Sequence, residues 1–319
     1  MFATLKDTLL QPERVRKGLL PIEWLTVAYV AFTSILMLIF GSRMSDIGGM
    51  IALRAAALAS VGVGFYCYKR MPSRFSLMLR VMFQVGLLAF WYPDLYGICR
   101  VFPNADHIFA GLEQQVFGCQ PALLFSEVCT SKILSECFYM GYLFYFPMIA
   151  MVLVFYLFAR YESFEKAATI VLGSFFAYYL VFLFLPVAGP QYYFNAIGID
   201  AAYNGDFQPV GHWFNSNIEM LDPPGWKGGI FYKLLAVVRE SERPVASFPS
   251  SHVGVSFIVV LLALKTRSKG LLAVLLPLWV FLVCATVFIR AHYVVDVIAG
   301  FLTAPVVYLM LNKVFERKM

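Results

Sequence analysis

Charge is what this chain has least of. Of its 319 residues only 14% are Asp, Glu, Lys or Arg, and 61% are hydrophobic. A soluble domain carries about a quarter charged residues and about half apolar ones. Mean hydropathy is +0.74. These values exclude a water-soluble globule and imply an integral membrane protein whose core is its own set of apolar helices. Histidine is also scarce, at four residues, so the place of each one carries information. None of the six cysteines forms a CxxC pair, which removes the usual spacing of a small zinc site. There is no internal repeat and no low-complexity tract. The formal net charge is +6, yet no basic stripe stands apart from the apolar segments, which speaks against nucleic acid. Nothing in the sequence calls for an obligate protein partner.

What is present is a series of apolar runs. Eight have the roughly 17–25 residues that a bilayer core requires. They are 22–41, 50–68, 77–98, 138–159, 167–188, 251–266, 270–290 and 292–313. The expected fold is therefore all-α, a polytopic integral membrane protein with about eight transmembrane helices. The second and third runs contain Arg54 and Arg80, which need partners inside a membrane. The first run is too long for a cleavable signal, and no small-residue cleavage site follows it.

Lysine and arginine set the expected orientation. Alternate connections carry Lys6, Arg14, Arg16 and Lys17, then Lys69, Arg70 and Arg74, then Arg160 and Lys166. They continue with Lys265, Arg267 and Lys269, and end with Lys313, Arg317 and Lys318. Both termini are therefore expected in the cytoplasm, with residues 1–20 as a basic interfacial segment. Residues 21–319 read as one membrane-embedded catalytic domain. Its two long loops, about 99–137 and 189–250, face the outer side. Cys99, Cys119, Cys129 and Cys137 fall in or at the edge of the first loop, which fits one or two disulfides, or else free thiols. Ile108, Phe109, Leu112, Val116 and Phe117 recur at helical spacing there, predicting an interfacial helix that ends near Gly118; Pro121 starts another.

Two of the four histidines mark span entrances. His252 opens the sixth run in "PSSHVGVSF", and His292 opens the eighth in "RAHYVVD". The two spans between them form a hairpin of matched length, which returns His292 to the face that His252 left. His292 and Asp296 are four apart and share a helix face. An acid inside an apolar run is costly unless it is paired or faces a polar cavity. A carboxylate that holds one imidazole nitrogen leaves the other as a stronger base or nucleophile. Ser250 and Ser251 precede a helix N-terminus, where hydroxyls and free N–H groups suit phosphate. Arg239 and Arg243 are four apart on a short helical pattern, and Arg290 adjoins His292; guanidiniums fork phosphate oxygens. Taken singly, each feature has a plainer reading. His107 and His212 read as interface residues, the serines as N-caps, Arg290 as a snorkelling side chain. A zinc site of His252, His292 and Asp296 is opposed by the arginines around it. No metal or other cofactor is expected.

The blocks resemble the type 2 phosphatidic acid phosphatase superfamily, whose pattern is Lys-x6-Arg-Pro, Pro-Ser-Gly-His and Ser-Arg-x5-His-x3-Asp. Here they read Arg243-Pro244, Pro249-Ser250-Ser251-His252, and Arg290 with His292-x3-Asp296, within about 233–300. The departures are specific. The lysine position is Ala236, with Arg239 or Lys233 as a replacement. The glycine is Ser251. The arginine of the third block falls at Thr286, while Arg290 stands two residues before the histidine. "HYVVD" resembles the sphingolipid synthase branch. "FGCQP" and "GPQYYF" are similar to inositol phosphorylceramide synthase-like proteins, including bacterial ones, which adds Gln191, Tyr192 and Tyr193, with Lys233, as candidate substrate contacts.

The resemblance implies a six-helix phosphatase-type core and a metal-free mechanism. His292, oriented by Asp296, attacks phosphorus to give a phosphohistidine. His252 protonates the leaving oxygen and then deprotonates the acceptor. Arg243, Arg239, Arg290 and the serines at 250 and 251 hold the phosphate oxygens. The first functional expectation is a transferase that moves a phosphorylated headgroup, phosphoinositol among the candidates, from a phospholipid donor to a ceramide-like lipid hydroxyl. The alternative is a hydrolase acting on phosphatidic acid, phosphatidylglycerol phosphate or a polyprenyl diphosphate. A channel or transporter is disfavoured, because the polar residues gather at one face and no paired, repeat-related broken spans occur. The expected setting is a bacterial inner membrane with the site on the periplasmic face, or a lumenal face in a eukaryote.

Overall fold

The computed structural model describes residues 9–13 and 16–316. Lys6, Arg14, Arg317 and Lys318, and part of the 1–20 segment, lie outside the described residues. The described residues form helices joined by loops, and among them the only β feature is an isolated bridge between Pro12 and Ser73. We number the helices α1 Pro21–Phe40, α2 Ile47–Arg70, α3 Arg74–Gly86, α4 Leu88–Cys99, α5 Asp106–Phe117, α6 Pro121–Val128, α7 Lys132–Leu143 and α8 Tyr145–Ala159. They continue as α9 Phe164–Phe184, α10 Pro190–Ile197, α11 Ile199–Asn204, α12 Ile230–Arg239, α13 Ser251–Thr266, α14 Lys269–Phe288 and α15 Val294–Glu316.

By length and composition, six of these segments are able to cross a membrane, with α3 and α4 counted together. A seventh arises if α7 and α8, bent by 53° at their junction, are one span. The bend has a local cause: Pro147 lacks the N–H that would reach the Leu143 carbonyl, so the helix ladder breaks there. α13 is apolar but only 16 residues long. The eight expected runs thus correspond to six full spans, one bent pair and one short helix.

Two compact units divide the chain, 1–98 with 153–176 and 310–319, and 99–152 with 177–309. In the first unit the charges within apolar helices are paired. Arg54 forks Asp94 at 2.7 and 3.0 Å, and Arg80 Nη2 donates to Glu23 Oε2 at 2.6 Å. Arg16 pairs with Glu165. Removing one partner from a buried pair costs about 3–5 kcal/mol, so these pairs make the second and third spans tenable. Tyr29 stacks on Phe176 with centroids 4.1 Å apart and meets Trp91 edge-on.

The second unit holds the candidate site. Its core includes Phe138, Tyr139, Phe288 and Ile289 around the α7–α14 contact. The two helices approach closely because Gly141 has no Cβ, which would collide with the Phe281–Leu282 backbone. α5 ends as expected at Gly118, whose φ of 70° suits glycine. Its faces are unusual: Asp106, Phe109, Ala110 and Glu113 point inward, while Ile108, Leu112 and Val116 are exposed. α6 starts at Pro121. The disulfide expectation for the loop is not met. All six cysteines are free, and the buried Cys99 thiol donates to the Phe182 carbonyl at 3.1 Å.

Candidate active site

The α13–α14 hairpin does what its length predicts. Ser268 caps α14 by accepting from Leu271 N–H at 3.3 Å, and the chain returns so that His252 and His292 meet. His292 Nε2 lies 3.2 Å from His252 Nδ1. His292 sits in the turn between α14 and α15, 3% exposed. Its Nδ1–H donates to the Ser247 carbonyl at 2.9 Å, with Ser247 Oγ at 3.2 Å. A carbonyl only accepts, so Nδ1 carries a proton, and Nε2 is the ring atom that faces His252.

Asp296 acts at one remove. Its Oδ2 is 3.7 Å from His292 Nδ1, beyond a hydrogen bond, but accepts from Ser247 Oγ at 2.6 Å and from Tyr293 N–H at 2.9 Å. The direct Asp–His contact expected from the i, i+4 spacing is therefore a relay, Asp296 to Ser247 to His292. Ser247 was not visible in the sequence as a site residue. Its only signal is its place five residues before His252, in a stretch that also contains two prolines.

The backbone around the relay is strained in two places. Ala246 has φ 75° and Arg290 φ 65°, each beside or near a relay residue. Non-glycine residues held there cost about 1–3 kcal/mol each, and such strain clusters at functional sites. Glycine is required opposite. Gly189 has φ 94°, and a Cβ there would strike the Ala291 carbonyl just before His292. At the other side, Gly300 of α15 lies against the Ser250 carbonyl with no room for a methyl group. Ser250 is the α13 N-cap: its Oγ accepts from Val253 N–H at 3.3 Å and its N–H donates to the Asp296 carbonyl at 3.0 Å. Ser251, the family's glycine position, is 8% exposed as the first residue of α13.

Aromatic rings enclose His252. Tyr142 stacks on it at 4.7 Å and 22°, and Tyr145 lies at 4.6 Å and 41°. Tyr142 OH in turn donates to Glu242 Oε1 at 2.7 Å. That carboxylate also accepts from Gln191 Nε2 at 2.9 Å, and Arg239 Nη2 donates to Gln191 Oε1 at 2.7 Å and to the Leu221 carbonyl at 3.0 Å. Arg239 and Gln191 are thus tied into a network behind His252, with Arg239 only 4% exposed. Tyr193 is buried and donates to the Gln208 carbonyl; Tyr192 is 1% exposed in the core against Phe214. Arg243 Nη1 donates to the Glu240 and Glu242 carbonyls. Arg290 Nη2 donates to Ser126 Oγ at 3.2 Å, while its buried Nε has no partner. Lys233 is exposed on α12. The histidines and Asp296 are brought together, whereas none of the four cations has a hydrogen bond or ion pair with either histidine among the contacts just described.

Two histidines thus meet at adjoining helix mouths, with Asp296 beside them at the start of α15. A family model described as the PAP2 superfamily matches residues 109–310, more than half of the chain. The chain belongs to the PAP2 superfamily. The match contains both histidines, Asp296, Ser247 and α5 from Phe109 onward. PAP2 membership supports an enzyme that handles phosphoryl groups on lipids in the manner of a phosphatase. Neither a curated protein nor a solved structure matches the chain.

Proposed function

We propose that this PAP2 protein is a lipid phosphotransferase that works through a phosphohistidine on His292. The observation that carries the reading is the His292 ring itself: Nδ1 is fixed by Ser247, and Nε2 meets His252 Nδ1 at 3.2 Å. A phosphorylated headgroup, with phosphoinositol as the first candidate, leaves a phospholipid donor and passes to a ceramide-like lipid hydroxyl. Substrate entry replaces the hydrogen bond between the two rings. His292 Nε2 bonds to phosphorus as the donor's ester oxygen leaves, and His252 gives that oxygen its proton. In the second half His252 takes the proton of the acceptor hydroxyl, whose oxygen displaces Nε2. Proton transfer of this kind is worth about 10²–10⁴-fold. Arg243, Arg290 and the N-terminus of α13 at Ser250 and Ser251 are assigned to the phosphate oxygens. Arg239 reaches the site through Gln191 and Glu242.

Enclosure supports transfer over hydrolysis. His292 is nearly inaccessible and His252 lies under two tyrosine rings, which keeps water from a reactive phosphohistidine. "HYVVD" and "GPQYYF" point the same way, toward the inositol phosphorylceramide synthase-like group. In this reading the site opens to the periplasmic side of a bacterial inner membrane, with both termini cytoplasmic. The test supplies purified protein with headgroup-labelled phosphatidylinositol, with and without ceramide. A new labelled lipid that depends on ceramide is expected. Water-soluble label in equal amount in both arms assigns the protein as a hydrolase instead.

A further inference from the structure

A second buried acid lies behind the nucleophile, and the proposed chemistry does not use it. Glu113 on α5 and Asp296 on α15 are both 0% exposed. They accept from consecutive amides of one turn: Tyr293 N–H donates to Asp296 Oδ2 and Val294 N–H to Glu113 Oε1, each at 2.9 Å. The remaining oxygens, Glu113 Oε2 and Asp296 Oδ1, are buried with no partner. Among the described residues no Lys or Arg forms an ion pair with either carboxylate; Asp296 has only His292, at 3.7 Å. Buried polar atoms find partners, and two adjacent buried carboxylates do not both ionise. One proton between the two orphan oxygens answers both requirements.

We propose that Glu113 carries this proton and donates it to Asp296 Oδ1, as a positioning residue that keeps Asp296 Oδ2 turned to Ser247. The inference rests on His292 being the nucleophile. The other titratable groups on these elements are Asp106 on α5, which accepts from Tyr293 OH at 3.0 Å, and His292 and Tyr293 on the turn. Burial, offset in part by the Val294 N–H and reinforced by Asp296, pushes the Glu113 carboxyl up to about 8, so it is neutral at pH 7. Above that pH Glu113 loses the proton, and the relay loses its alignment.

Infrared difference spectra and steady-state kinetics of Glu113 variants test the proposal. E113Q keeps an acceptor for Val294 N–H and a permanent donor for Asp296. Its spectrum should lack one buried carboxylic-acid C=O band seen in the wild type, and the same loss should appear in an H292A background, where no turnover is needed. E113A should lower kcat by roughly tenfold or more with KM nearly unchanged, the scale of one lost hydrogen bond. E113Q should rescue kcat and remove the decline above pH 8. No band lost in E113Q, or an E113A enzyme with wild-type kcat and pH profile, overturns the proposal. Should E113A not fold, the near-isosteric E113Q spectrum decides alone. An active H292A enzyme defeats the nucleophile assignment instead, while the infrared band still reports on the acid pair.

Discussion

Ser247 shows how much one side chain adds to the His–Asp pairing that the sequence suggests. Its carbonyl fixes the tautomer of His292, and its hydroxyl links the ring to Asp296. S247A keeps the carbonyl and removes the link. kcat should fall roughly 10- to 100-fold, the worth of a buried hydrogen bond to a charged group. KM and thermal stability should change little, and steady-state kinetics with a melting curve check both. Glu113 gives a second prediction, for stability. Its folded-state value, about 8, lies above the ordinary 4.5. A raised value means that its contribution is fully present below about 4.5 and is lost as pH rises through about 8. Referenced to E113Q, which does not titrate, the wild-type melting temperature should decline across that window; a rise contradicts it. Neither residue was legible beforehand. Ser247 is one serine in a serine- and proline-rich loop, and Glu113 reaches Val294 across 181 positions. No local period links such residues, whereas the four-residue spacing of His292 and Asp296 pointed to their proximity, although His292 lies in the turn before α15 rather than on it.

At the scale of elements, the hairpin α13–α14 and the close crossing of α15 over the start of α13 build the site. Helix lengths made the first of these legible, since two spans of similar length must return the chain to one face. The crossing was not legible, because it depends on Gly300 having no Cβ where the Ser250 carbonyl passes. G300A should push α15 off α13 and cost about 1–3 kcal/mol, the usual toll of overpacking, with loss of activity. G270A, near the start of α14 with open space around its Cβ position, is the control and should be neutral or slightly stabilising. Equal behaviour of the two variants in thermal melts and turnover removes Gly300 from the account. The 53° bend between α7 and α8 was likewise hidden in a continuous apolar run. Pro147 was there to be read, but hydropathy does not report direction. Helix α5 was legible in its helical spacing and its Gly118 stop. Its inward acids were not, because an apolar stripe at helical spacing does not say which face it covers.

For the molecule as a whole, composition settled the class, and the scarcity of charge made each buried ion informative. Arg54 and Arg80 looked like faults in two spans and are instead paired within the first unit. The second unit gathers both histidines, Asp296 and their supports, and it coincides with most of the PAP2 match. The proposed chemistry routes no step through a metal. Turnover should therefore survive EDTA, and an EDTA-induced loss restored by zinc assigns a metal role to the site. The most direct measurement is to trap the covalent intermediate. Purified protein is mixed with headgroup-labelled phosphatidylinositol without acceptor, quenched rapidly, digested, and its peptides mapped. Acid-labile label is expected on His292, absent from H292A and discharged by ceramide in the wild type. Label on any other residue, or undiminished turnover in H292A, contradicts it.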